Sequence, residues 1–183
     1  MNYDKIEIGA LYLAFACVPI YEIIRSKVVA AMPQMHNKNV FFNLNNRLAP
    51  EGDQSKSDLE AQVFSQYQVI GDAARLAQVI RTLIENALKF TPHHGTIELS
   101  VERIEGGIPH FNLVLPPESV HLLEQPRAGS IRISVTDSGD ALSEAQIATI
   151  SAEGVQFNAS ELQAGKGSGL GLYIAKGIVE QHD

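Results

Sequence analysis

Apolar residues at Ile20, Ile23, Ile24, Val28 and Val29 recur at helical spacing, and the pattern predicts a helix over residues 20–31 that Pro33 ends. Residues 40–48 mix Phe41, Phe42 and Leu44 with asparagines and run into the Pro50, Glu51, Gly52, Asp53 cluster, which reads as a strand and then a solvated loop. A second short strand is predicted at 66–70. Gly71 and Asp72 then offer a turn and a helix N-cap, and the apolar residues of 73–90 fall at helical spacing. Alternation at Ile97, Leu99 and Val101 predicts a half-buried strand over 96–103, and Ile131, Ile133 and Val135 repeat the pattern. Between these two strands, residues 104–129 carry Gly106, Gly107, Pro109, Pro116, Pro117 and Pro126, a long irregular connection to which we assign no function. Ser143 and Gln146 have capping-box spacing and open a short helix, and residues 168–182 read as the last one.

The chain has 183 residues, enough for one domain with a real core. Its formal net charge of −7 gives no electrostatic reason to expect nucleic acid or an anionic lipid surface as partner. Cys17 is the sole cysteine, which excludes an internal disulfide and a cysteine-based metal cage and fits a reducing cytoplasm. The longest apolar stretch, residues 8–20, is interrupted by Gly9 and Pro19 and falls short of the roughly 20 residues a membrane span needs. Asp4 and Glu7 follow Met1 in place of a basic region, so no targeting segment is expected.

Three constellations carry chemistry. Winding residues 75–91 as a helix puts Val79, Ile80, Leu83, Ile84, Ala87 and Leu88 on one half and Arg75, Thr82, Asn86 and Lys89 along one polar edge. Asn86 can offer a neutral oxygen to a hard cation, and Lys89 can meet phosphate oxygens as a point charge; an ordinary solvated flank is the other reading. Asp137 shares the parity of Ile131, Ile133 and Val135, so its carboxylate is expected on the apolar face, where a nucleobase amino group could satisfy it. Gly139 would let the backbone come close to the ring, although an Asp-Ser-Gly turn ending a strand accounts for the same residues. Finally, Gly165, Gly167, Gly169 and Gly171 alternate into an apolar helix, an arrangement that can wrap a phosphate with backbone N–H groups or serve as a flexible hinge. Lys166 is followed by Gly167, so this is not a Walker loop.

In this order the three segments resemble the motifs of the histidine kinase ATPase family, whose catalytic domain is also used by gyrase-type ATPases and heat-shock chaperones. The resemblance implies an α+β fold: a two-layer sandwich with a mixed sheet on one side, helices on the other, and closing strands after His182 that this chain lacks. It covers a tail of the dimerisation helix and linker at 1–17, where residues 4–11 are similar, and the ATPase domain at 18–183. By resemblance Asn86 is the magnesium ligand and, with Lys89 as phosphate contact, the catalytic pair. Asp137 and Gly139 hold adenine, and Gly165, Gly167, Gly169, Leu170 and Gly171 form the lid over the triphosphate. Gln156 and Phe157 stand where the family has its phenylalanine motif. The implied cofactors are ATP and Mg2+.

The resemblance further implies transfer of the γ-phosphate to a histidine on a separate dimerisation hairpin, with a response-regulator receiver downstream and a homodimeric parent protein in the cytoplasm, a membrane anchor upstream left open. The hairpin's histidine is absent here. His36, His93, His94, His110, His121 and His182 read as surface or turn residues. The gyrase and chaperone branch has a glutamate where Thr82 stands, and Glu85 lies on another helix face, so the kinase branch fits better. Asp140 and Ala141 replace the second glycine of the first glycine box, which keeps open an alternative: a catalytically inert nucleotide-sensing or scaffolding module of the same fold.

Overall fold

The computed structural model describes residues 13–48, 67–105, 117, 120, 122, 129–155 and 169–182. Its elements are β1 (Ala16–Pro19), α1 (Ile20–Asn37), β2 (Phe41–Arg47), β3 (Gln68–Gly71), α2 (Ala73–Phe90), β4 (Thr96–Ile104), β5 (Ser130–Asp137), α3 (Glu144–Thr149) and α4 (Gly171–Glu180). Two sheets form. In one, β2 pairs parallel with β4 and β4 pairs antiparallel with β5; in the other, β1 pairs antiparallel with β3. The larger sheet is mixed and lies against α1 and α2, an α+β arrangement of two layers.

Helix α2 matches its predicted span because both ends are chemically marked. The Asp72 carboxylate accepts from the backbone N–H groups of Ala74 and Arg75 at 3.0 Å each, satisfying two of the donors a helix start leaves orphaned. Periodicity then puts Ile80, Ile84, Ala87 and Leu88 into a core shared with Ile20, Ile24 and Val28 of α1 and Ile97, Leu99 and Val101 of β4. The central strand alternates as predicted, with those three β4 side chains buried and Glu98, Ser100 and Glu102 on the opposite face.

Helix α1 departs from expectation. It runs through Pro33 to Asn37. A proline inside a helix removes one bond to the carbonyl four residues back, here that of Val29, whose position faces solvent, so water can take that role. Met35, buried at 3% exposure, anchors the extra turn. Residues 13–17, expected in a linker, instead belong to the folded unit: Ala16 and Cys17 lie in β1, and Leu13 packs with Val79, Ala175 and Ile178 in a second, smaller cluster. That cluster attaches α4 to the flank of α2. Ser168, the expected first residue of this last helix, lies outside the described residues, and the helix itself starts at Gly171. Among the described residues β5 is an edge of its sheet, and no helix is long and apolar enough to cross a membrane.

Candidate functional site

The polar edge of α2 is flanked at two points by glycine-bearing segments. Gly171, at the start of α4, packs so closely that an added Cβ would come 3.3 Å from Thr82 Cγ2. Asn86 is one turn further along α2, half-buried. At the end of the helix, Gly139 lies against the Phe90 carbonyl, where an added Cβ would come 2.8 Å from the oxygen. Thr82 and Phe90 are about 12 Å apart along the helix axis. Gly171 of the third constellation is thus brought to the polar edge of α2, with Gly139 of the second at the helix's far end.

The predicted residues that are described have these settings. Leu170 stands at the N-cap of α4, and Gly169 adopts φ +71°, a conformation disfavoured for residues with a Cβ. A Cβ there would also press on the backbone of Gly154 at 2.8 Å, so the chain after α3 and the chain before α4 are in contact. Lys89 is exposed, and its ammonium rests 5.1 Å from the centre of the Phe90 ring. Gly165, Gly167, Gln156 and Phe157 lie outside the described residues.

Asp137 corrects one expectation. Its parity holds, since it pairs in register with buried Ile97, but its side chain is exposed. One carboxylate oxygen accepts the Gly139 N–H at 2.8 Å, the Asx turn that the alternative reading offered, and among the described residues the other has no hydrogen-bond partner. Gly139 is required by its approach to Phe90, independent of any nucleobase. Glu85, read as solvated, is exposed and 3.8 Å from Arg81.

Two features were not anticipated. His182, expected at the surface, is half-buried and uses both ring nitrogens: Nε2 accepts the Asp72 N–H at 2.9 Å and Nδ1 faces the Ile178 carbonyl at 2.8 Å, so Nδ1 carries the proton. Asp72 itself accepts the Ala14 N–H at 2.9 Å. Burial raises the Asp72 pKa, but the N–H groups of Ala14, Arg75 and Ala74 and the charge of Arg75 outweigh it and hold the carboxyl below its usual range. No local sequence signal marks a bond spanning 110 residues. The other feature is the closure of the C-terminal end of α2. Thr91 donates its N–H and its hydroxyl to the Ala87 carbonyl at 2.9 and 2.6 Å, and Lys38 Nζ donates to the carbonyls of Leu88 and Lys89 at 2.7 and 3.3 Å.

An open depression of about 240 Å³ lies on the outer surface between α1 and α2, lined by Lys27, Ala74, Arg75, Ala77, Gln78 and Arg81. It shares only Arg75 with the polar edge and none of the glycine contacts. Among the described residues no group of three His, Cys, Asp or Glu side chains could hold a metal by itself.

The family model described as histidine kinase-, DNA gyrase B-, and HSP90-like ATPase matches residues 71–183. The autoinducer 2 sensor kinase/phosphatase LuxQ of Vibrio vulnificus is 28% identical over 180 residues, covering 98% of this chain and 17% of that protein. The signal transduction histidine-protein kinase BarA of Escherichia coli is 26% identical over 181 residues, covering 99% of this chain and 16% of BarA. The chain therefore spans under a fifth of the length of either curated relative. Among solved structures, the nucleotide-free catalytic domain of histidine kinase ThkA superposes with a TM-score of 0.61 at 21% identity, over 92% of this chain and 82% of its own. Full-length ShkA in complex with AMPPNP gives 0.65 at 22% identity, over 98% of this chain and 29% of ShkA. At these identities the structural likeness is one of fold.

Proposed function

Because the chain belongs to the family of histidine kinase-, DNA gyrase B- and HSP90-like ATPases, we propose that it is the ATP-binding catalytic domain of a sensor histidine kinase. In this reading it binds Mg·ATP and presents the γ-phosphate to a histidine on a separate helical hairpin of a homodimeric parent protein, for onward transfer to a receiver aspartate. The observation that carries the reading is the seating of Gly171 on Thr82. It sets the start of α4, with its N–H groups and favourable dipole end, beside Asn86 on the polar edge of α2. Named sensor kinases among the relatives favour this reading over an inert nucleotide-sensing module.

Asn86 would hold magnesium with a neutral side-chain oxygen. A single protein ligand suits this ion, which keeps several waters and is otherwise bound through substrate phosphates. The ion, when bound, neutralises developing charge on the phosphate oxygens. Lys89 would leave the Phe90 ring for the phosphates, the Asp137 oxygen not used by Gly139 would accept from the adenine amino group, and Gly165, Gly167, Gly169, Leu170 and Gly171 would wrap the triphosphate. Phosphoryl transfer needs mainly positioning and charge stabilisation, so a nucleophile arriving from another element is compatible with a site that has no base of its own.

The test supplies the hairpin of the parent protein in trans with labelled Mg·ATP. Label should appear on the hairpin histidine at a rate that rises with hairpin concentration, and the chain alone should remain unlabelled. An acid-labile, base-stable adduct on His36, His93, His94, His110, His121 or His182 in the absence of the hairpin would contradict the assignment.

A further inference from the structure

The last four carbonyls of an α-helix have no partner within it. In α2 these belong to Ala87, Leu88, Lys89 and Phe90. Thr91, fully buried, serves the first, while the last lies against Gly139. The two between them are closed by one ammonium from a different helix, Lys38 at the C-cap of α1. The Lys38 backbone extends the same junction: its N–H donates to the Gln34 carbonyl at 3.1 Å, and its carbonyl accepts the His94 N–H at 3.4 Å. One residue therefore ties the end of α1 to the end of α2 and to the turn that leads into β4.

From this geometry we infer that Lys38 is a positioning residue of the nucleotide site, an inference that rests on the functional reading above. The carboxyl end of a helix carries roughly half a negative charge. In α2 that end carries Lys89, assigned above to the phosphates and about one turn from Asn86, while Gly139 at its tip belongs to the adenine side. A cation bonded to the Leu88 and Lys89 carbonyls offsets this charge and fixes the turn from which Lys89 extends. Lys38 thus acts through the helix end, by way of the backbone that carries Lys89.

The experiment compares the full chain with Lys38→Met and Lys38→Arg variants. Hydrogen exchange is followed over residues 86–91, and binding of Mg·ATP and of uncharged adenosine is measured by calorimetry. The methionine variant should exchange faster in the last turn of α2 and bind Mg·ATP about five- to tenfold more weakly, the range a partly buried helix-end charge supports. Its adenosine affinity should change much less, and arginine, which keeps the cation, should restore both properties. A purely structural lysine would lower the melting temperature and leave the ratio of ATP to adenosine affinity unmoved, and that result overturns the inference. Unchanged exchange in the methionine variant overturns it too, whether or not nucleotide binds. A wild-type chain that fails to bind Mg·ATP refutes the functional reading itself, and with it any nucleotide role for Lys38.

Discussion

The two flanks of α2 are built differently. On one, Ile80, Ile84, Ala87 and Leu88 pack into a core that draws on α1, β2, β4 and β5. On the other, α4 is held by a cluster of four buried residues, Leu13, Val79, Ala175 and Ile178, and by the polar joint of Asp72 with His182. The first flank fixes the helix against the sheet. The second holds a helix whose start is assigned to the nucleotide, among the described residues through fewer buried apolar side chains than the first, and regions of that kind open locally at lower free energy than a core. A rigid wall facing a lightly held helix suits a site that must admit and release a ligand.

Truncation separates the two most strongly. Leu99 and Ile178 are both fully buried, so exposure does not distinguish them, but their neighbours do. Leu99→Ala should cost about 3–5 kcal/mol of unfolding free energy, because the sheet and helices around it cannot collapse into the space, and Ile178→Ala about 2–3 kcal/mol, because α4 can shift. Urea denaturation monitored by circular dichroism reads both, and equal costs would mean that the flanks form one core. A smaller effect is expected at the joint. His182→Ala leaves the Asp72 N–H without its acceptor and should cost about 1–2 kcal/mol, with faster exchange in α4 and little change in α1.

The smallest effect is one of pH. The Asp72 carboxyl is held below its ordinary value of 3.8, so the unfolded chain takes up a proton there before the folded one does. The stability this adds is fully present above pH 3.8 and is lost as the pH falls through the lower folded value. Asp72→Asn should therefore flatten the acid limb of the stability curve. An unaltered acid limb would show that the carboxylate is no more stabilised in the fold than in the open chain.

What could be read from the sequence follows the range of the interactions. Helix α2 was legible end to end because its signals are local: Asp72 caps it, the apolar spacing persists to Phe90, and Thr91 closes it. The alternation of β4 and β5 was equally plain. Pro33 misled because its cost depends on whether the orphaned Val29 carbonyl faces water, which no spacing reveals. Strand β1 was missed since its four residues gain meaning only from pairing with β3. Asp137 was assigned the correct side of the sheet and the wrong degree of burial, since parity gives the face of a strand's last residue and not its exposure. Lys38 and His182 act across 50 and 110 residues, and neither lies in a recognisable pattern.

The central claim is that the polar edge of α2, with Asn86 at its middle, binds Mg·ATP. Calorimetric titration of ATP into the wild-type chain and into Asn86→Ala, each with and without magnesium, tests it most directly. The account predicts that magnesium tightens binding to the wild type, that the alanine variant loses most of this magnesium dependence, and that its circular dichroism spectrum is unchanged. Superimposable titrations of the two proteins, both with magnesium, would contradict it.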